Sequence, residues 1–187
     1  MRYDPDLHHR RSVRLKGYDY SQPGAYFVTV CTRDRECTLG DVIEDEVRVT
    51  ELGHIVEECW HDLPSHYAHL RLDAFVIMPN HVHAIIILKG YPDVGAGLRP
   101  APTAKRAGLP EIVRAFKAFS ARRINELLDS AGTPFWQRNY YDHVIRNERE
   151  LNAIRQYIAD NPARWNDDPE HPGRNRRRRK SKQQGLV

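Results

Sequence analysis

Two histidines separated by one residue are the first side chains of this sequence that could do chemistry. His81 and His83 flank Val82 at the start of HVHAIIIL, a run rich in β-branched residues. Because side chains alternate across a strand, both imidazoles are expected on one face, where they could hold one divalent cation. The chain contains ten histidines. As a bare motif the pair is therefore better explained by two surface histidines, or by one histidine paired in the core.

A tyrosine and an amide four residues apart are the second candidate. Tyr157 and Asn161 share a face of a predicted helix over Glu148–Asp160. A tyrosine hydroxyl can be a covalent nucleophile when a metal or a base activates it or its target, and an amide oxygen can complete a metal shell. Taken alone, a tyrosine packed on a core and a helix stop at Asn161-Pro162 are the simpler explanations.

An aromatic segment, FWQRNYYDH at positions 135–143, allows two interpretations. Aromatic side chains interleaved with arginine can stack on exposed bases, whereas the same residues often fill the gap between two helices. Phe135 and Trp136 are the expected core members. Tyr140 and Tyr141 are competing nucleophiles that rank below Tyr157, because their segment shows no regular element that would hold the geometry of attack.

The basic residues are unevenly distributed along the chain. Of its 187 residues, 29 are Lys or Arg and 25 are Asp or Glu, a formal charge of +4. Residues 174–187 contain basic and no acidic side chains, so the remainder is slightly acidic. This excludes a uniformly basic protein that coats nucleic acid. A basic tail and a basic helix over 111–128 suit phosphate contacts, although a charged helix face is usually only solvated. The predicted DNA contacts are Arg114, Lys117, Arg122, Arg123, Arg138, Arg176, Arg177, Arg178 and Arg179.

Several protein classes are excluded by what the sequence lacks. No apolar run approaches the ~18 residues of a membrane span, and the first residues show no secretory signal. The cysteines, Cys31, Cys37 and Cys59, are odd in number and lack C-x-x-C spacing. They are expected to be reduced thiols in a cytoplasmic, nucleoid-associated protein without a membrane partner.

The predicted elements form an α+β domain. Strands are expected at 25–32, Leu70–Met78 and His81–Leu88, with a short hairpin at 38–43 and 47–50. Helices are expected at 51–62, ended by Pro64, at 111–128 and at Glu148–Asp160. This order favours a ferredoxin-like antiparallel sheet with helices on one face.

The predicted domain organisation has four parts. They are an N-terminal arm (1–24), a catalytic domain (25–165), a flexible Gly/Pro-rich insertion within it (90–109) and a basic, disordered tail (166–187).

The order and spacing of these signals resemble one family. MPNHVHAIIIL, a basic helix, and then FWQRNYYDHVIRNERELNAIRQYIADNP are similar to the single-tyrosine HUH transposases. Within that superfamily the chain resembles the REP-associated tyrosine transposases, bacterial relatives of the IS200-like transposases. The likeness covers about residues 17–165, most of the chain.

The resemblance implies a reaction. In this family the two histidines bind a divalent metal, Mg²⁺ or Mn²⁺, and these roles fall on His81 and His83. The tyrosine of Y-I-x-x-N-P is the nucleophile, which is Tyr157 here, and Asn161 matches the third metal ligand. The implied substrate is single-stranded DNA beside an imperfect palindromic hairpin, which is cut and rejoined through a 5′-phosphotyrosine linkage. Relatives act as monomers or homodimers, and both states stay open.

Two other functions remain open at this point. A domesticated copy could bind hairpin DNA without strand transfer. Alternatively, the histidine pair could serve a metal-dependent nuclease that uses water, with Tyr157 structural.

Overall fold

A four-stranded antiparallel sheet is the centre of the structure, a computed structural model that describes residues 15, 17–90 and 107–173. The strands are β1 (Gly24–Cys31), β2 (Gly40–Ile43), β3 (Glu46–Val49), β4 (Leu70–Met78), β5 (His81–Leu88) and β6 (Tyr141–Ile145). The helices are α1 (Glu51–His66), α2 (Leu109–Leu127) and α3 (Glu148–Asp160), with 3₁₀ turns at Arg33–Arg35 and Pro162–Asp167. The predicted arm (except Leu15 and 17–24), most of the predicted insertion, and the basic run of the tail lie outside these residues.

The sheet has the strand order β4-β5-β1-β6, and β2 and β3 form a separate hairpin. All neighbouring strands are antiparallel. Without the β2–β3 hairpin and α3, the elements follow one another as strand, helix, strand, strand, helix, strand, which is the ferredoxin-like order. The predicted α+β class and ferredoxin-like sheet are therefore confirmed.

The edge strand β6 was not predicted from the sequence. It begins at the end of the segment expected to be aromatic and irregular, and only five residues, YDHVI, pair with β1. Asp142 and His143 place two strongly polar side chains next to each other in β6, so its hydrophobic alternation is weak. Its pairing with β1 completes the sheet. This pairing stabilises a strand that the local sequence does not predict.

Helices cover both faces of the sheet, which refines the expectation of helices on one face. On one face α1 and α2 enclose the larger core, to which β1 and β5 contribute Tyr26, Val28, Val30, Val82, Ala84 and Ile86. On the other face Ile158 of α3 packs in a smaller cluster with Phe27, Ile85 and Ile145. The hydrophobic stripe of α3 predicts which side of that helix is buried, but not which face of the sheet receives it.

Local signals set the helix boundaries closely, with one exception. The Thr50 hydroxyl accepts the Gly53 N–H at the start of α1, and the Asn147 side chain accepts the Glu150 N–H at the start of α3. Pro64 was expected to end α1, but the helix continues to His66 with Pro64 inside it. Because Pro64 lies in the last turn, its missing N–H removes a single hydrogen bond close to the helix end.

The ordered domain extends beyond the predicted boundary at residue 165. The 3₁₀ turn Pro162–Asp167 continues directly from α3, and Asp168 after it is buried. The backbone oxygen of Glu170 accepts a hydrogen bond from the Asn80 side chain. Residues 166–173 are thus part of the folded domain, and the expectation of a disordered tail from residue 166 is wrong for this stretch.

Within the described residues, none of the helices is long and apolar enough to cross a membrane.

Candidate metal and tyrosine site

The hairpin of β4 and β5 places His81 and His83 side by side on one face of the sheet. Their Nε2 atoms lie 3.0 Å apart, and their ring centroids are 4.4 Å apart. Both residues are buried, at 0% and 3% exposure. The expectation that both imidazoles share a face holds, and the alternative of two surface histidines does not.

Helix α3 brings Tyr157 to this pair on the same face. The Tyr157 hydroxyl lies 3.3 Å from His83 Nε2, across 74 residues of sequence. Ile158, buried beside it, attaches the helix to the sheet. The Arg155 guanidinium adds a two-pronged ion pair with the Asp73 carboxylate of β4, at 2.7 and 2.8 Å. The tyrosine as a whole remains about one-third exposed, although it contacts the buried histidine pair.

A carboxylate that the sequence did not suggest completes the cluster. Asp168 Oδ2 lies 3.9 Å from His81 Nε2 and 3.8 Å from His83 Nε2. One ligand atom from each of these three residues falls within 4.8 Å of the others. Asp168 stands in the acidic stretch NDDPE, which was assigned to the tail. Because Asp168 is far from His81 and His83 along the chain, no local sequence pattern indicated that the three side chains lie together.

The donor set fits a divalent cation. The Oδ2 atom of Asp168 and the Oδ1 atom of Asn161 are both buried, and neither finds a hydrogen-bond donor among the described residues. Buried oxygens without donors are costly, and a cation is one partner that would satisfy them. Two imidazole nitrogens with one or two oxygens leave positions open for phosphate oxygens and water.

The electrostatics of the cluster favour a neutral His81 and an ionised Asp168 carboxylate. Burial lowers the pKa of His81 to about 3, and His83 acts in the same direction. Burial opposes ionisation of Asp168, but His83, His81 and the Glu170 N–H outweigh it and lower the pKa of that carboxyl. Metal ligands must be deprotonated in this way before they bind.

Burial and the Asp168 carboxylate raise the pKa of Tyr157, while the Asn161 side chain opposes them. The resting nucleophile candidate is therefore a neutral phenol at physiological pH. Asn161 is itself buried at the end of α3, where its side chain interacts with Tyr157. The structure thus brings Asn161 to Tyr157, as the shared helix face predicts.

Two polar side chains hold the outer nitrogens of the imidazoles. His81 Nδ1 lies 2.8 Å from the Oδ1 atom of Asn80, and His83 Nδ1 lies 2.8 Å from the Thr29 hydroxyl. Both partners are buried. Such outer contacts orient metal-ligating histidines in general.

The predicted DNA-contact residues of α2 lie on the helix packed against the opposite face of the sheet. Arg114 and Arg122 are exposed. Lys117 donates to the backbone oxygens of Gln137 and Arg138, and Arg123 pairs with Glu58. These last two side chains thus have structural partners.

Arg138 is exposed in the segment after Trp136, while Arg176, Arg177, Arg178 and Arg179 lie outside the described residues.

The aromatic segment divides between the core and the site. Trp136 is buried and donates from Nε1 to the Ser120 hydroxyl, and Phe135 packs on the same core. Tyr141 is 43% exposed and lies on the face that carries the histidines, directly opposite Thr29 of β1. Tyr140 packs on the core beneath the other face. The hydroxyl that contacts the histidine pair belongs to Tyr157.

Comparisons with known proteins identify one relative by sequence and a similar fold among solved structures. No family model matches the chain. An uncharacterized protein of Haemophilus influenzae is 39% identical over 177 residues, which covers 89% of this chain and 96% of that protein. A solved structure described as the REP-associated tyrosine transposase bound to a REP hairpin is similar with a TM-score of 0.58 at 19% identity, over 81% of this chain and 73% of the other. The resemblance stated from the sequence is thereby confirmed at the level of the fold.

Proposed function

We propose that this chain, which belongs to the same family as the Haemophilus influenzae protein and has the fold of the REP-associated tyrosine transposase, is a metal-dependent strand transferase for single-stranded DNA. One observation carries the proposal. The Tyr157 hydroxyl lies 3.3 Å from His83 Nε2, in a cluster that also holds His81 and the buried carboxylate of Asp168. A tyrosine, two imidazoles and a carboxylate at one point are the parts of a phosphoryl-transfer site.

His81, His83 and Asp168 would hold the cation, with Asn161 as a further oxygen ligand. A bound divalent cation supplies charge neutralisation to the scissile phosphate and orients its oxygens. Two nitrogen donors suit Mn²⁺ better than Mg²⁺, because Mg²⁺ prefers an all-oxygen shell.

Tyr157 is the nucleophile in this proposal. Its Oη attacks the phosphorus, the bond from phosphorus to the 3′ oxygen breaks, and a 5′-phosphotyrosine linkage forms with a free 3′-hydroxyl. The proton lost from Oη balances the proton gained by the 3′ oxygen. Attack by another 3′-hydroxyl on the same phosphorus reverses the step and joins strands without an energy source, since one ester replaces another. α3 supports this role because Ile158 and the Arg155–Asp73 pair hold the tyrosine in place.

Both a monomer and a homodimer remain possible states of the active protein in this proposal. The tyrosine and the three metal-ligand candidates of one chain lie together, which supports cleavage by a monomer. The substrate we propose is a single strand beside a hairpin, by analogy with the REP hairpin named for the similar structure. Exposed Arg114, Arg122 and Arg138, together with Arg176–Arg179, remain the predicted contacts to DNA phosphates.

A covalent adduct tests the proposal. A labelled single-stranded oligonucleotide that carries a hairpin from the DNA flanking the gene is incubated with protein and Mn²⁺ and then analysed on a denaturing gel. We expect a shifted, protease-sensitive band for the wild type and for Tyr141→Phe, and none for Tyr157→Phe. Tyr141→Phe is the matched control because it removes a tyrosine hydroxyl from the same face of the sheet.

The other outcomes identify the alternative functions. Hairpin binding with no cut and no adduct would favour a domesticated DNA-binding protein. A cut without adduct would favour a nuclease that uses water. His83→Gln should abolish cleavage and largely retain hairpin binding in a folded protein, since His83 is assigned to the metal and not to the hairpin.

A further inference from the structure

Asn80 has a side-chain orientation that its surroundings determine. It is fully buried, and its Nδ2 donates to the backbone oxygens of Arg35 and Glu170, at 3.1 and 2.9 Å. Both partners are carbonyl oxygens and can only accept, so the amide nitrogen must face them. Its Oδ1 then faces His81 Nδ1 at 2.8 Å, and an amide oxygen can only accept. The neutral ring of His81 therefore carries its proton on Nδ1 and presents a lone pair at Nε2.

The same reasoning assigns the tautomer of His83 in the metal-free protein. His83 Nε2 lies 3.0 Å from His81 Nε2, which has a lone pair and accepts, and 3.3 Å from the Tyr157 hydroxyl, whose oxygen can also accept. Two nitrogen lone pairs would repel each other at the shorter of these distances, so a proton must lie between the two rings. The proton of His83 therefore sits on Nε2, and its Nδ1 accepts from the Thr29 hydroxyl at 2.8 Å. A cation needs a lone pair on both Nε2 atoms. His81 already offers one, whereas His83 must first move its proton from Nε2 to Nδ1.

We propose that Asn80 and Thr29 are positioning residues with different tasks: Asn80 holds His81 permanently in the tautomer that binds the cation, and Thr29 allows His83 to change tautomer when the cation arrives. A hydroxyl fits the second task because it donates in one rotation and accepts in another. An amide oxygen, like that of Asn80, accepts only. The change conserves protons, since the one that leaves Nε2 is replaced by one on Nδ1 of the same ring. This inference rests on the proposed metal site at His81 and His83.

The tautomers of His81 and His83 can be measured directly by NMR, and the measurement does not depend on an activity assay. In protein with ¹⁵N-labelled histidine, long-range ¹H–¹⁵N spectra distinguish protonation at Nδ1 from protonation at Nε2. Without metal we expect His81 protonated at Nδ1 and His83 at Nε2. With Zn²⁺ as a diamagnetic probe we expect His83 to move to Nδ1 and His81 to stay unchanged. His83 already protonated at Nδ1 without metal would overturn the role of Thr29, and His81 protonated at Nε2 would overturn that of Asn80.

Metal affinity gives the second readout. Thr29→Val keeps the shape of a β-branched residue in β1 but removes the hydroxyl. The bound cation draws charge from the imidazole and strengthens the Nδ1–H donor, so the lost acceptor weakens the bound state more than the free state. We expect the Mn²⁺ dissociation constant, measured by calorimetry, to rise about 10–100-fold. Thr29→Ser, which restores the hydroxyl, should return it to the wild-type value.

The outcomes separate this inference from the proposed function. A wild type that binds Mn²⁺ and forms the Tyr157 adduct, with unchanged affinity in Thr29→Val, would overturn the role of Thr29 alone. Equal losses in Thr29→Val and Thr29→Ser would also overturn it, because the loss would then follow from packing. A wild type that binds no Mn²⁺ would overturn the proposed metal dependence and the tautomer change together.

Discussion

Replacing Asp168 with asparagine distinguishes the two oxygen ligands that the site offers. The resemblance from sequence implies Asn161 as the third ligand, whereas the structure places the Asp168 carboxylate 3.8–3.9 Å from both Nε2 atoms. Asp168→Asn keeps the size of the side chain and an oxygen that can accept the Glu170 N–H, a contact of 2.6 Å in the wild type. It removes the negative charge and leaves the rest of the cluster intact.

Two effects are expected, one without metal and one with it. Without metal, the contacts of the ionised Asp168 carboxyl lower its pKa, so the charge stabilises the fold at neutral pH and Asp168→Asn should lower the melting temperature. With metal, the lost ligand should weaken binding at least as much as the loss of an outer partner, about 10–100-fold. A purely structural role for Asp168 would lower the melting temperature equally with and without Mn²⁺, and the Mn²⁺-induced shift would stay unchanged.

The expected shift follows from linkage between binding and unfolding. At a Mn²⁺ concentration of about 100 times the wild-type Kd, binding stabilises the fold by about 2.7 kcal/mol. If Asp168→Asn weakens binding about 100-fold, the same concentration equals its Kd and contributes only about 0.4 kcal/mol. In a domain of this size each kcal/mol shifts Tm by about 2–4 °C. The Mn²⁺-induced shift should therefore fall from about 5–11 °C to about 1–2 °C.

Thermal denaturation with and without Mn²⁺ measures both effects in the full chain. Asn161→Ala is the comparison variant, because it removes the other buried oxygen that lacks a donor. A full Mn²⁺ shift in Asp168→Asn, together with its loss in Asn161→Ala, would refute the assignment of Asp168 and return the third-ligand role to Asn161. Loss in both variants would make both residues ligands.

Three further predictions concern the elements around the site. Ile158→Ala should lower the free energy of unfolding by about 2–5 kcal/mol in urea denaturation, and Ile158→Val by about 1 kcal/mol, because this buried side chain attaches α3 to the sheet; equal small effects would contradict that attachment. The bond to Arg155 lowers the pKa of Asp73, so its contribution to stability is present above the unfolded-state pKa and is lost as the pH falls through the folded-state pKa. Asp73→Asn should therefore flatten the acid side of a plot of unfolding free energy against pH. Arg114→Ala should weaken single-stranded DNA binding and its salt dependence without changing Tm, whereas Lys117→Met should lower Tm because Lys117 bonds to backbone oxygens.

Much of the site could be predicted because its signals are local. The alternation of side chains places His81 and His83 on one face of β5 whatever the strand pairs with. The spacing of Tyr157 and Asn161 places both on one side of α3 for the same reason. Caps and turn residues, such as Thr50, Asn147 and Pro79-Asn80, set the element boundaries within a few residues.

The errors concern contacts between distant parts of the chain. β6 was missed because an edge strand of five residues gains its stability from pairing with β1 and shows little alternation of its own. Asp168 was assigned to a tail because nothing in NDDPE distinguishes a buried carboxylate from a solvated acidic stretch. The structure also gives Lys117 and Arg123 backbone and carboxylate partners that spacing does not specify, and their contact with DNA stays a prediction.

The sequence by itself determined the α+β class, the histidine pair on one strand face, and the helix that carries the tyrosine and the amide. These follow from periodicity and capping, which depend on residues a few positions apart. Only the tertiary structure decided that α3 packs on the histidine face, that Tyr157 meets His83, and that Asp168 closes the cluster. Those choices depend on which surfaces bury the most apolar area and satisfy the most polar groups together, a property of the whole folded chain that no local pattern contains.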